Sequence, residues 1–194
     1  MIKFDKLYIN GKWVKPNSDE LMEIINPSTG EIAGIVPMGS KEDVDLAVNA
    51  ANAALTSWSD TSIEERCNIL QKCSSALKEN EDKLAKTITN EVGTPIGFSK
   101  MAMVGTPRVV FKSYSKILEN FKFEEEIGNS LIVKEPVGVC GFITPWNFPL
   151  HQIVGKVAPA LAAGCTMVLK PSKIAPLNAF LLAEILDDIG LPPG

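Results

Sequence analysis

The chain has 194 residues, of which 45% are hydrophobic and 22% charged, a composition typical of a globular protein. Its 19 basic and 23 acidic residues give a net charge of -4. Phosphate backbones and anionic membranes attract basic surfaces, so nucleic acid and membranes are not expected as partners. A chain of this length buries roughly 70% of its unfolded surface, which argues against disorder and against a disulfide-stapled miniprotein.

The four cysteines, Cys67, Cys73, Cys140 and Cys165, lack the C-x-x-C spacing of zinc and redox sites. Three of them stand in apolar, helix-like or strand-like surroundings, which is typical of reduced core thiols. We therefore expect no metal and a cytoplasmic location. The N-terminus lacks the apolar run of a signal peptide. The uncharged stretch 136–155 contains Pro, Asn, His and Gln, which favours a buried strand and loop over a membrane span.

Two strand pairs are predicted within the first 37 residues. Residues 7–9 and 13–14 alternate like strands on either side of Asn10-Gly11, a dipeptide typical of a type I′ hairpin turn. Residues 22–25 and 31–36 flank a second loop that is rich in turn-forming residues.

Four helices follow, each predicted from apolar residues that recur at helical spacing. Ser40 with Asp43 and Ser62 with Glu65 match capping boxes, and Gly93 ends the third helix. We expect the apolar stripes to pack in a core rather than to hold a cofactor. The stripes are Val44, Val48, Ala51, Leu55 and Trp58; Leu70, Cys73 and Leu77; Leu84, Ile88 and Val92; and Val110, Tyr114, Ile117 and Phe121.

Residues 121–136 are predicted to form another hairpin that turns at Gly128-Asn129. The acidic run 124–126 is interpreted as a solvated edge that discourages unwanted strand pairing.

The last third reads strand, helix, strand, helix over 137–143, 150–163, 166–169 and 177–189. Its strands are apolar throughout rather than alternating, which predicts a parallel sheet covered on both faces. Pro159 should kink the first of these helices. The fold class is therefore α/β: the start of a Rossmann-like sheet, preceded by hairpins and a helical segment.

Ligands of open parallel sheets bind beyond the carboxyl ends of the strands, where residues 144–149 and 170–173 lie. Asn147 could donate its side-chain amide to a developing oxyanion, or it could be the N-cap of the helix that follows. Lys170 could meet a phosphate or a ribose hydroxyl, or it could end a strand in solvent. The sequence contains neither G-x-G-x-x-G nor a P-loop.

Taken together, seven motifs resemble the aldehyde dehydrogenase superfamily over essentially the whole chain. They are Tyr8-Ile-Asn-Gly-Lys-Trp13, Ile25-Asn-Pro-Ser-Thr-Gly-Glu31, Glu91-Val-Gly-Thr-Pro95, Lys134-Glu-Pro-Val-Gly138, Gly141-Phe-Ile-Thr-Pro-Trp-Asn-Phe-Pro-Leu150, Ala158-Pro-Ala-Leu-Ala-Ala-Gly164 and Val168-Leu-Lys-Pro-Ser172.

The resemblance implies NAD(P)-dependent oxidation of an aldehyde to a carboxylic acid through a cysteine thioester, which a glutamate-activated water hydrolyses. It assigns the oxyanion hole to Asn147. The expected cofactor contacts are Ile143, Thr144, Pro145, Trp146, Lys170 and Ser172. The expected substrate-tunnel residues are Phe148, His151, Gln152 and Gly155.

Lys173 departs from the pattern, because many NAD-preferring members have a glutamate that binds the ribose hydroxyls and repels a 2′-phosphate. A lysine could attract that phosphate instead. We therefore expect NAD or NADP as the cofactor, with NADP tolerated or preferred.

The family's catalytic cysteine and glutamate lie further along than Gly194, so the resemblance implies an N-terminal part that is inactive alone. The implied organisation is a helical segment with hairpins at 1–120, an oligomerisation hairpin at 121–136 and an incomplete dinucleotide-binding fold at 137–194. Exposed apolar surface and homo-oligomers, dimers or tetramers, are expected. The alternatives are a non-catalytic dinucleotide-binding or oligomerisation module and, more remotely, an enzyme that uses Cys140.

Overall fold

A computed structural model describes residues 1–194 and contains nine strands and seven α-helices. The strands are β1 (Ile2–Lys3), β2 (Leu7–Ile9), β3 (Lys12–Val14), β4 (Leu21–Ile25), β5 (Ile32–Pro37), β6 (Glu124–Ile127), β7 (Ser130–Val133), β8 (Val139–Ile143) and β9 (Thr166–Lys170). The helices are α1 (Lys41–Ser59), α2 (Ile63–Glu79), α3 (Glu81–Val92), α4 (Ile96–Phe98), α5 (Gly105–Glu119), α6 (Pro149–Ala163) and α7 (Leu177–Asp188). A π-helical segment, Ser99–Val104, joins α4 to α5. No helix is both long enough and apolar enough to cross a membrane.

The N-terminal strand pairs form as the sequence predicts. β2 and β3 pair antiparallel, and Asn10 (φ 53°) with Gly11 (φ 68°) gives the two positive φ angles that a type I′ turn requires. β4 pairs antiparallel with β5, and β1, which the sequence analysis does not predict, adds to β5 in parallel.

Aromatic side chains attach these N-terminal strands to the last helix. The rings of Phe4 and Phe180 stack with centroids 4.8 Å apart, and Trp13 lies 6.0 Å from Phe4. The Tyr8 hydroxyl donates to Asp187 Oδ1 at 2.9 Å. Partial burial and the neighbouring carboxylate raise the pKa of Tyr8 to about 12, so the hydroxyl stays a donor at neutral pH.

The main core is formed by α2, α3, α5, α6 and α7, with Trp58 of α1 at its margin. Both predicted capping boxes are present. The stripe predicted for α1 is only partly buried: Ala51 and Trp58 are buried, whereas Val44 and Val48 are exposed. The neighbouring Asp43 is buried instead, because its carboxylate accepts hydrogen bonds from the backbone amide and Nδ2 of Asn17.

The buried face of α5 differs by one residue from the sequence prediction. Phe111 and Leu118 are buried, whereas Ile117 is 54% exposed. Apolar residues occupy two neighbouring stripes, and the correct one contains the polar Ser115. That hydroxyl is buried and accepts a hydrogen bond from Gln71 Nε2 at 3.1 Å, which makes its burial tolerable.

β8 and β9 form the predicted parallel pair, in which Gly141 lies opposite Val168. Phe142 and Leu169 lie opposite each other and pack on the main core. On the other face Gly141 is exposed and Ile143 is 77% exposed, so the expected covering is met on one face only. α6 continues through Pro159 as one helix. β6 and β7 form the predicted hairpin, and both strands are exposed along their whole length.

The position of the α5 face can be tested by truncation. Phe111→Ala should lower the free energy of unfolding by about 3–5 kcal/mol, because this ring is fully buried. Ile117→Ala on the same helix should cost less than about 1 kcal/mol. Urea denaturation measures both changes, and a larger loss at Ile117 would contradict the packing described.

Candidate active site

The two loops singled out in the sequence begin side by side. Ile143 at the end of β8 lies opposite Lys170 at the end of β9, and the Thr144 amide donates to the Lys170 carbonyl at 3.3 Å. The turn 144–148 and the loop 171–176 therefore start at the same carboxyl edge of the sheet, where ligands of such sheets bind.

Asn147 does not cap the helix that follows it. α6 begins at Pro149, Phe148 occupies the N-cap position, and no side chain donates or accepts there. Asn147 is exposed, and its side-chain amide makes no hydrogen bond within the chain. The N-cap interpretation is therefore wrong, and this amide is free to donate to a bound group.

The turn before Asn147 combines apolar surface with an unpaired polar atom. Ile143, Pro145 and Trp146 are exposed, whereas Thr144 is buried. The Thr144 hydroxyl has no hydrogen-bond partner. A buried hydroxyl without a partner favours a bound polar group or a water, and exposed apolar surface suits a flat ring. These residues fit a nucleotide cofactor.

In the second loop, Lys170 and Ser172 form local hydrogen bonds, whereas Lys173 is unpaired. The Lys170 ammonium donates to the Pro171 carbonyl at 3.4 Å, and Ser172 Oγ accepts from the Ile174 amide at 3.2 Å. Lys173 is exposed and forms no ion pair, so its charge is available to an anionic ligand.

The four predicted tunnel residues lie at the start of α6. Phe148 precedes the helix, and His151, Gln152 and Gly155 follow at spacings that share one face. His151 Nδ1 is buried without a hydrogen-bond partner, and Gly155 is exposed with open space beside it. The chain's single histidine therefore lies in the first turn of α6, directly after the turn 144–148.

Phe98 belongs to this region but is absent from the sequence prediction. Its ring meets that of Phe148 edge-on, with centroids 6.2 Å apart. It ends α4 just before the π-helical segment, where the apolar spacing follows no regular helical period. Contact between segments so far apart in sequence leaves no local signal.

Glu91 is the second residue that the sequence analysis leaves without a role. Its carboxylate is buried and accepts from the amides of Leu177 at 2.7 Å and Asn178 at 3.1 Å, and from Asn178 Nδ2 at 2.6 Å. Burial raises the pKa of Glu91 to about 7, although all three donors favour the charged form. A signal exists: Leu84, Ile88 and Glu91 share helical spacing, which places a carboxylate on the core face of α3.

The sequence profile of the aldehyde dehydrogenase family matches residues 13–194. The chain belongs to the aldehyde dehydrogenase family. It is 48% identical to a 3-succinoylsemialdehyde-pyridine dehydrogenase from a Pseudomonas species, over 100% of this chain and 41% of that protein. It is 43% identical to a putative aldehyde dehydrogenase of Staphylococcus aureus strain USA300, with the same coverage.

Solved aldehyde dehydrogenases share the fold. A mutant of aldehyde dehydrogenase C from Pseudomonas syringae, solved with NAD+ and octanal, superposes with a TM-score of 0.96 at 42% identity, over 97% of this chain and 39% of that one. An aldehyde dehydrogenase from Bartonella henselae also reaches 0.96, at 41% identity, over 100% of this chain and 41% of that one. The chain therefore spans about 40% of the length of these relatives.

None of the four thiols of this aldehyde dehydrogenase chain has the features of an activated nucleophile. Cys67, Cys73 and Cys165 are buried. Burial raises the pKa of Cys67, that of Cys73 to about 12, and that of the half-buried Cys140. A nucleophilic cysteine needs a lowered pKa and access to substrate, so Cys140 is a poor candidate.

Proposed function

We propose that the complete protein oxidises an aldehyde to a carboxylic acid with NAD or NADP, through a cysteine thioester. The observation that carries this proposal is the free side-chain amide of Asn147, exposed beside the carboxyl edge of the β8–β9 pair. Oxidation through a thioester first requires a donor for the oxyanion that forms when a thiolate attacks the carbonyl carbon. In this proposal Asn147 supplies that hydrogen bond.

The role of Asn147 depends on its fixed position rather than on proton transfer. Pro145 and Pro149 restrict the backbone on either side, which limits the positions open to the residue that carries the amide. A donor that is already oriented stabilises the oxyanion without reorganisation. A bound nicotinamide cofactor would supply the hydride acceptor for this oxidation.

The cofactor is proposed to lie across the edge formed by the two loops. Ile143, Pro145 and Trp146 offer apolar surface, the Thr144 hydroxyl is unpaired, and Lys170 and Ser172 would meet the adenosine ribose. The superposition on an aldehyde dehydrogenase solved with NAD+ supports this arrangement.

The aldehyde is proposed to approach along α6. Phe148 offers an aromatic wall, His151 and Gln152 offer polar atoms, and the open space at Gly155 leaves room for a side group. Such a lining supports a roomier and more polar passage than an all-apolar one. The complex of a related enzyme with octanal supports an aldehyde with an extended tail.

The nucleophile is proposed to be a residue other than those of 1–194, since none of the four thiols here is activated. The family resemblance implies the same for the general base. Residues 1–194 alone should therefore not turn over an aldehyde. The four free thiols also support a reducing, cytoplasmic compartment.

The β6–β7 hairpin is proposed to join subunits. Ile127, Leu131, Ile132 and Val133 are all exposed along it, and exposed apolar side chains grouped on one element are typical of interfaces. The same observation favours a second candidate function, a non-catalytic oligomerisation or dinucleotide-binding module. Aldehyde-dependent reduction of the cofactor by the complete protein separates the two.

Removing the Asn147 amide tests the proposed oxyanion site. Asn147→Ala should lower kcat about 10²- to 10³-fold, because one oxyanion donor is lost. Asn52→Ala removes an exposed amide from α1 and should leave kcat unchanged. The measurement is steady-state formation of NADH or NADPH by the complete protein, and an unchanged kcat for Asn147→Ala would contradict the assignment.

Lys173 is proposed to make NADP acceptable, because its charge is exposed and unpaired in the loop 171–176, which also carries the proposed ribose contact Ser172. Lys173→Glu should lower the ratio of kcat/KM for NADP to that for NAD about tenfold. Lys72→Glu makes the same charge change on α2 and should not alter the ratio. A strong NAD preference that Lys173→Glu leaves unaffected would overturn this proposal.

A further inference from the structure

The N-terminus of α7 is closed by a residue of another helix. Pro176 stands at its N-cap position and provides no side-chain hydrogen bond. The first amides of a helix have no partner within it, so they need one from elsewhere. Glu91 supplies it, accepting from the Leu177 and Asn178 amides through separate carboxylate oxygens.

The position of Glu91 makes sense only in relation to α7. The residue lies next to the last residue of α3, where the helix dipole disfavours a carboxylate. Within α3 the charge therefore costs stability, whereas at the start of α7 the dipole favours it. A second link between these helices, Lys83 with Glu184 at 3.1 Å, is exposed and contributes little.

The same bonds fix the far end of the loop that carries the ribose contacts. Asn178 Nδ2 donates both to Glu91 at 2.6 Å and to the Ala175 carbonyl at 2.9 Å. The near end is tied by the bond from the Thr144 amide to the Lys170 carbonyl at 3.3 Å. Between these two ties, the loop 171–176 carries Ser172 and Lys173 with one internal bond, from the Ile174 amide to Ser172 Oγ.

We propose that Glu91 is a positioning residue for the cofactor: by binding the start of α7 it holds the loop 171–176 so that Lys170, Ser172 and Lys173 meet the adenosine ribose. This inference rests on the proposed function. It also assigns the phosphates elsewhere, because the α7 amides that could bind an anion are already occupied by the carboxylate.

The test compares cofactor affinity in matched variants of the complete protein. In Glu91→Gln the side chain keeps its size, but its NH2 group must face one of the α7 donors. The Kd for NADH, titrated by its fluorescence, should rise about tenfold, with kcat at saturating cofactor within about twofold of wild type. Hydrogen exchange of residues 171–176, followed by mass spectrometry, should become faster.

Asp43→Asn is the matched control. Asp43 is also a buried carboxylate at a helix start, accepting from the amides of Ser40 and Asn17 and from Asn17 Nδ2, but it has no hydrogen bond to α7 or to the loop 171–176. Its replacement should lower the free energy of unfolding while leaving the Kd for NADH and the exchange of 171–176 unchanged.

Asn178→Ala covers the case in which Glu91→Gln does not fold. It leaves both backbone bonds to Glu91 and removes the two bonds that Asn178 Nδ2 donates, to Glu91 Oε1 and to the Ala175 carbonyl, so the Kd should rise by about threefold. A folded Glu91→Gln variant with wild-type affinity for NADH, or an equal loss of affinity in the Asp43→Asn variant, would overturn the inference about Glu91 and leave the proposed function standing. Wild-type protein that binds neither NADH nor NADPH would overturn the proposed function and the inference with it.

Discussion

The hydrogen bonds between Glu91 and the start of α7 are the constraint on which the cofactor edge depends. A buried carboxylate is costly unless it is fully hydrogen-bonded. Here three donors and the positive end of a helix dipole compensate for it, while burial still raises its pKa to about 7. These bonds act over 86 residues of sequence. They join the helical layer to the loop that follows β9.

Arg66 caps the C-terminal end of α6, as Glu91 caps the start of α7. Its buried guanidinium donates to the carbonyls of Ala162 at 3.0 Å and Thr61 at 3.2 Å, and lies 5.1 Å from the centre of the Phe123 ring. Gly164 is required there: its φ is +83°, and an added Cβ would lie 2.9 Å from Arg66 Nη1. The carboxylate of Glu91 on α3 thus caps the N-terminus of α7, and the guanidinium of Arg66 on α2 caps the C-terminus of α6. Each charge is the one that the dipole of the capped helix favours.

Local patterns were sufficient where local chemistry decides. Asn10-Gly11, the two capping boxes and the apolar runs of β8 and β9 predicted their elements, because turn geometry, capping and burial act within a few residues. Local patterns gave the wrong result where contacts between distant segments determine burial. The buried face of α5 was mispredicted because it contains the polar Ser115, and the role of Glu91 was missed because its hydrogen-bond partners lie on α7. Whether Asn147 caps α6 or has a free side-chain amide depends on the residue at which α6 begins. The sequence alone left that residue open.

A double-mutant cycle of Glu91→Gln and Asn178→Ala tests the central interaction most directly. The free energy of unfolding would be measured at pH 8, where a carboxyl with a pKa of about 7 is mostly ionised. A hydrogen bond from the Asn178 amide group to this carboxylate predicts a coupling energy of about 1.5–3 kcal/mol. Effects that add to within about 0.5 kcal/mol would contradict the claim that this carboxylate and Asn178 hold the start of α7 together.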